Sequence, residues 1–154
     1  MPAYFFDSSS LVKRFGQERG SKFVRSLLKP AAKNAVYIAR ITPAEVVSAF
    51  TRKSRGGTST PLQSRKAIQR FERSFPDRYS VVEIRSLLVN KASELVKVHG
   101  LRAYDAVQLA AALTANDERR ALGGGFITLV SADKQLNRAA ILEGLLVEDP
   151  NNYQ

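Results

Sequence analysis

Five short apolar runs, separated by stretches of helical periodicity, constrain this chain more than any other feature. Residues 3–6 (AYFF), 35–41 (AVYIARI), 79–84 (YSVVEI), 126–130 (FITLV) and 145–147 read as strands. Between the first two, Leu11, Val12 and Phe15, then Phe23, Val24, Leu27 and Leu28, recur at helical spacing up to Pro30. Thr42-Pro43-Ala44-Glu45 predicts a helix start, with Thr42 as N-cap, Pro43 at the first helical position and Glu45 completing a capping box. Further helices are predicted over 62–75, 84–99 (stopped by Gly100), 104–115 and 133–141. Strands that alternate with helices imply an α/β fold with a parallel sheet covered on both faces. No repeat or long linker divides the chain, so residues 1–154 are expected to form one domain. Within it, residues 54–76, a Gly/Ser/Thr loop and a basic amphipathic helix, read as an insertion.

Composition removes several kinds of chemistry. There is no Cys and a single His, His99. Disulfides, zinc–thiolate sites, Cys nucleophiles and multi-His metal centres are therefore excluded, and a Ser-His-Asp triad is hard to build. His99 precedes Gly100 at a helix end, where an imidazolium complements the dipole, and is read as structural. No apolar run approaches the roughly 20 residues that span a bilayer. The first seven residues lack the basic start of a secretory leader, so a reducing cytoplasm is the expected location. The net charge is +10, divided as +11 over residues 1–78 and −1 over residues 79–154. A basic half of this size points to a polyanion such as nucleic acid.

With His and Cys nearly absent, carboxylates must carry any catalysis. Asp7 ends the first strand, and Glu45 lies in the first turn after the second. Asp105 lies in the first turn of an Ala-rich helix, and Asp133 is three residues past the fourth strand. Each also has a plain helix-capping or dipole explanation, and Glu45 could reach back to the Thr42 amide. In a parallel sheet, however, the carboxyl ends of the strands share one edge, and ligands bind there. Asp7, Glu45 and Asp133 are therefore expected at the same end of the molecule. Clustered carboxylates repel unless a cation sits among them. Such a set suits Mg²⁺ or Mn²⁺, which prefer hard oxygen ligands. A metal on this edge lowers the pKa of bound water, which allows attack on a phosphodiester without a His base.

Four segments together resemble one family: Tyr-Phe-Phe-Asp-Ser-Ser (4–9), Ile-Thr-Pro-Ala-Glu-Val-Val-Ser-Ala-Phe (41–50), Gly-Leu-Arg-Ala-Tyr-Asp-Ala-Val-Gln-Leu-Ala-Ala-Ala-Leu (100–113) and Thr-Leu-Val-Ser-Ala-Asp-Lys-Gln-Leu (128–136). They look like PIN-domain ribonucleases, especially the VapC toxins of toxin–antitoxin pairs, in order and along essentially the whole chain. The resemblance implies a three-layer α/β/α sandwich with a five-strand sheet in the order 3-2-1-4-5. It implies an Mg²⁺- or Mn²⁺-dependent endoribonuclease, a homodimer, and a small antitoxin protein that blocks the site. It matches Asp7, Glu45, Asp105 and Asp133 to the family's acidic metal-binding quartet, and Ser9 to the hydroxyl residue supporting the first Asp. Residues 54–76 match no motif of the family.

Cations expected to hold the RNA backbone are Arg14, Arg52, Lys53, Arg55 and Arg102, the last three residues before Asp105. Tyr4, Phe5, Phe6, Phe23, Phe50 and Phe126 fall in apolar runs and are expected in the core. Gly123–Gly125 lacks the Lys-Ser/Thr of a phosphate-cradling loop. The main alternative is a non-catalytic α/β RNA-binding module whose acids are only helix caps. A receiver-like phosphoacceptor domain is disfavoured, because the third strand ends at Glu83-Ile84, where such domains need an acceptor Asp.

Overall fold

A computed structural model describes residues 1–154. The strands are β1 (Ala3–Phe6), β2 (Ala35–Ala39), β3 (Ser80–Val82), β4 (Ile127–Val130) and β5 (Leu146–Glu148). All neighbouring strands pair in parallel, in the order β3-β2-β1-β4-β5. Strand side chains alternate between faces, and the two cores show it. Ala3 and Phe5 of β1, with Ile127 and Leu129 of β4, belong to one cluster; Phe6 and Val130 belong to the other. Both faces of the central strands are thus dry, which is why β1, β2 and β4 read as nearly unbroken apolar runs.

One face is covered by α1 (Ser8–Phe15), α2 (Ser21–Leu28), α3 (Thr42–Arg55) and α4 (Pro61–Arg78), which contribute Leu11, Val24, Val46 and Phe71 among others. The other is covered by α5 (Ser86–His99), α6 (Ala103–Ala121) and α7 (Lys134–Leu142). The Ala-rich run Ala110-Ala111-Ala112 of α6 is fully buried and lets that helix lie close to the sheet. This is the three-layer arrangement with the expected strand order. No helix is long and apolar enough to cross a membrane.

Several local expectations change. The periodic stretch before Pro30 is two helices, α1 and α2, separated at residues 16–20. Gly20 makes the second corner with φ +84°, and a Cβ there would meet the Pro150 carbonyl oxygen at 2.4 Å. Thr42 is not an N-cap: Ile41 holds that position without a side-chain cap, and Thr42 is already helical. The reciprocal capping box lies instead at Thr60 and Gln63, at the start of α4. That basic helix sends Ala67 and Phe71 into the core. Phe126 is not in the core; it is half-exposed, with the Arg120 guanidinium 4.2 Å from its ring centre. His99 is nearly buried at the end of α5, with Nε2 3.4 Å from Glu143 Oε1.

Candidate active site

Strand order reverses between β1 and β4, so a crevice opens at their carboxyl ends. Phe6 pairs with Val130, and the next residue on each strand is therefore Asp7 and Ser131. Asp7 is buried, 3% exposed, and caps α1 by accepting the Ser10 amide at 3.0 Å through Oδ1. The Ser9 hydroxyl lies 2.8 Å from both carboxylate oxygens, and the Ser131 hydroxyl donates to Oδ2 at 2.8 Å. These hydroxyls are themselves oriented: Ser9 Oγ accepts the Ala132 amide at 3.0 Å and Ser131 Oγ the Asp133 amide at 3.1 Å. Ser10 Oγ bonds the carbonyl of Val130 at 2.6 Å, tying α1 to the end of β4. Burial nonetheless outweighs these hydrogen bonds and pushes the Asp7 carboxyl up to about 6.

Glu45 stands in the first turn of α3. It does not curl back to the Thr42 amide. Its Oε2 accepts the Ser8 hydroxyl at 3.0 Å and its Oε1 accepts Gln108 Nε2 at 2.8 Å. The same Gln108 nitrogen reaches Thr42 Oγ1 at 3.0 Å, so the predicted cap hydroxyl serves as an anchor for Gln108. Asp105, one helical turn before Gln108, is half-buried, and its carboxyl is raised above the ordinary range. Burial is the main cause and the charges of Asp133 and Glu45 add to it, while Arg102 acts the other way. Asp133 caps α7 by accepting the Leu136 amide at 2.9 Å.

The four acids thus occupy one edge. Three of them share an electrostatic field, and the fourth is buried in a hydroxyl nest. No three acidic side chains converge tightly enough to enclose an ion by themselves. The donor set still fits a hydrated hard cation, because Mg²⁺ keeps several waters and uses one or two carboxylates. An Asp held buried and destabilised in its charged form, beside hydroxyls fixed to accept and donate, is a site whose charge a cation would relieve.

Ser9 occupies its expected place. Ser8, Ser131 and Gln108 were not singled out by the sequence reading. Gln108 had a signal: it is the one polar residue in the apolar stretch 106–113, three positions from Asp105 and so on the same face. Of the expected RNA contacts, only Arg102 lies at this edge, at the N-cap position of α6. Arg52, Lys53 and Arg55 are in the last turn of α3, at the opposite end from Glu45. Lys53 lies 3.4 Å from Glu18 and over the Phe50 ring. Arg14 is near the far end of α1 and donates to Tyr79 Oη at 3.1 Å.

Comparison with known proteins gives a consistent result. The family model described as PIN domain matches residues 4–142. Ribonuclease VapC45 of Mycobacterium tuberculosis is 31% identical over 120 residues, which cover 76% of this chain and 79% of that protein. PAE2754 from Pyrobaculum aerophilum superposes with a TM-score of 0.66 at 18% identity, covering 98% of this chain and 85% of the other. A toxin–antitoxin complex from Klebsiella pneumoniae contains a chain that matches with a TM-score of 0.60 at 19% identity, covering 96% and 97%.

Proposed function

Because this chain belongs to the PIN domain family, we propose that it is an endoribonuclease that acts as the toxin of a toxin–antitoxin pair, hydrolysing RNA phosphodiester bonds at the acidic edge. The observation that carries the reading is the buried Asp7 carboxylate, held by three serines at the β1/β4 switch point and raised to about 6. A helix cap alone does not need this arrangement, since Asn or Ser caps as well without the desolvation. The similarity to a named ribonuclease supports the same conclusion.

In this reading Asp7, Glu45, Asp105 and Asp133 would hold a hydrated Mg²⁺ or Mn²⁺, some of them through its waters, and the ion would supply charge neutralisation and activation of water. Ser9 and Ser131 hold both Asp7 oxygens in place. Ser8 and Gln108 hold Glu45 away from its own helix terminus. Arg102, exposed beside Asp105, faces the phosphate and opposes its charge. The water oxygen adds to phosphorus as the bridging P–O bond breaks, and the departing oxygen takes up a proton in place of the one the water gives up. The site works in the cytoplasm, as a homodimer, under control of a small antitoxin protein that covers the acidic edge.

The capping bonds of Asp7 and Asp133 also suit a non-catalytic RNA-binding module, and one experiment separates the two. Purified protein is assayed on labelled RNA with EDTA, then with Mg²⁺ or Mn²⁺ restored. Cleavage should need the metal, and Asp7→Asn and Asp105→Asn should each lower it at least ~100-fold while the protein stays folded. Full activity in a rigorously purified variant refutes the assignment.

A further inference from the structure

Away from the acidic edge, α1, α2 and α4 border a cleft of about 460 Å³ whose walls carry Arg14, Arg25, Lys29 and Arg70 around Phe15 and Leu28. The cations are not there to pair with acids. Carboxylate partners within 4 Å belong to Lys13, Lys53, Arg40, Lys91, Lys97 and His99, and to none of the cleft residues. The guanidiniums are held by neutral acceptors. Arg25 donates to the carbonyls of Arg14, at 3.1 Å, and Gly16; Arg70 donates to that of Phe15 at 3.3 Å. Arg14 bonds Tyr79 Oη. Behind them, Arg78 donates to the carbonyls of Leu28 and Lys29, and its Nε–H is buried without a partner. Burial and the charge of Arg14 both push the Arg78 pKa down, against an opposite pull from Tyr79, so Arg14 and Arg78 repel each other.

Fixed guanidiniums with spare donors and no acid are suited to a phosphate, which accepts in a bidentate manner and relieves the repulsion. An acidic peptide fits less well. Its amides need acceptors, and the wall's carbonyls at 14, 15, 16, 28 and 29 are already used by arginines. A nucleic-acid backbone brings only acceptors. Arg14 lies seven residues beyond Asp7 on the same helix, about 10 Å along its axis, a distance a single strand covers in a few nucleotides.

We propose that this cleft is a second RNA-backbone site, which grips phosphates of the substrate strand remote from the bond cleaved at the acidic edge. It rests on the ribonuclease reading for the identity of the strand. It also accounts for basic charge that the acidic edge cannot use.

The test measures the affinity of the full chain for an uncleavable 2′-O-methyl RNA strand at increasing salt, together with cleavage of the matching RNA. Arg25 and Arg70 are exposed, so the double variant Arg25→Gln/Arg70→Gln removes two contacts. For single strands the slope of log affinity against log salt is about 0.7 per phosphate contact, so the slope should fall by about 1.4. Binding should weaken roughly five- to tenfold, and the loss should appear in KM for cleavage. Arg25→Lys/Arg70→Lys should retain most of the slope. Should the Gln pair lower the melting temperature, Lys29→Gln, exposed at the rim, decides the matter with an expected drop of about 0.7. Unchanged slopes in the Gln variants overturn the proposal while leaving the nuclease reading intact. Loss of binding to poly-glutamate with RNA binding unchanged also overturns it, in favour of a peptide site. Conversely, slopes that fall as expected in the Gln variants, together with a wild-type protein that does not cleave RNA, uphold the cleft and sink the nuclease.

Discussion

Replacing Asp7 by Asn should make the metal-free protein more stable at neutral pH, although it removes the central acid of the site. The folded-state pKa is raised from 3.8 to about 6. Below 3.8 the group is protonated in both folded and unfolded chains and has no differential effect. Between 3.8 and 6 the unfolded chain ionises while the native carboxyl holds its proton. Native stability therefore falls as pH rises through this window and levels off above it. The full loss is about 3 kcal/mol at ~1.4 kcal/mol per unit. Asn avoids it and fits the nest. Its carbonyl can accept the Ser10 amide, and its amide can donate to the Ser9 or Ser131 hydroxyl, which turns to receive it. In melts with EDTA, the variant should gain little near pH 4 and roughly 6–12 °C near pH 7, using about 2–4 °C per kcal/mol at this length. Saturating Mn²⁺ should reverse the order. At a thousandfold excess over Kd the wild type gains about 4.1 kcal/mol, more than its deficit of about 3 kcal/mol, and the variant gains much less. A difference that is flat between about pH 4 and pH 7, or an equal Mn²⁺ gain in both proteins, refutes the reasoning.

Ser131→Ala removes a donor to Asp7 and the acceptor of the Asp133 amide, so it should cost about 1–3 kcal/mol. It should also raise the Asp7 pKa further and move the acidic limb of the cleavage–pH profile upward; an unmoved limb means Ser131 does not orient the carboxylate. Phe71→Ala should lose about 3–5 kcal/mol in urea denaturation, because Phe71 is 1% exposed and packs edge-on against Phe15 with ring centres 5.6 Å apart. A loss below ~1 kcal/mol would mean α4 is an accessory helix.

Local pattern carried most of the element reading. Tyr4, Phe5 and Phe6, or Thr128, Leu129 and Val130, betray a strand because a sheet covered on both faces leaves few polar positions. Spacing alone failed where tertiary contacts choose between two locally acceptable states. Thr42 has the chemistry of an N-cap, but Gln108, 66 residues away, claims its hydroxyl. Phe126 lies in an apolar run, yet it precedes β4 by one residue and faces solvent under Arg120. Arg14, Arg52, Lys53 and Arg55 carry the expected charge. Their helices start at the acidic edge and run away from it, so a residue one or two turns too late ends up elsewhere.

The amino-acid order was sufficient to specify alternating strands and helices, and an acid after each of the first, second and fourth strands. Hydrophobic periodicity and helix-start chemistry act over a few residues, and they can be read without knowing the neighbours. The family resemblance placed Asp105 with them. What needed the folded molecule was the company each acid keeps. Asp7 meets Ser131 across 124 residues because β4 inserts beside β1, and that adjacency produces the burial that raises the Asp7 pKa. Glu45 turns to Ser8 and Gln108 because α1, α3 and α6 all start at one edge. The arginine cleft likewise exists only where α1, α2 and α4 meet. Side-chain direction, desolvation and mutual repulsion are properties of the packed arrangement, and they convert a list of charged residues into a site.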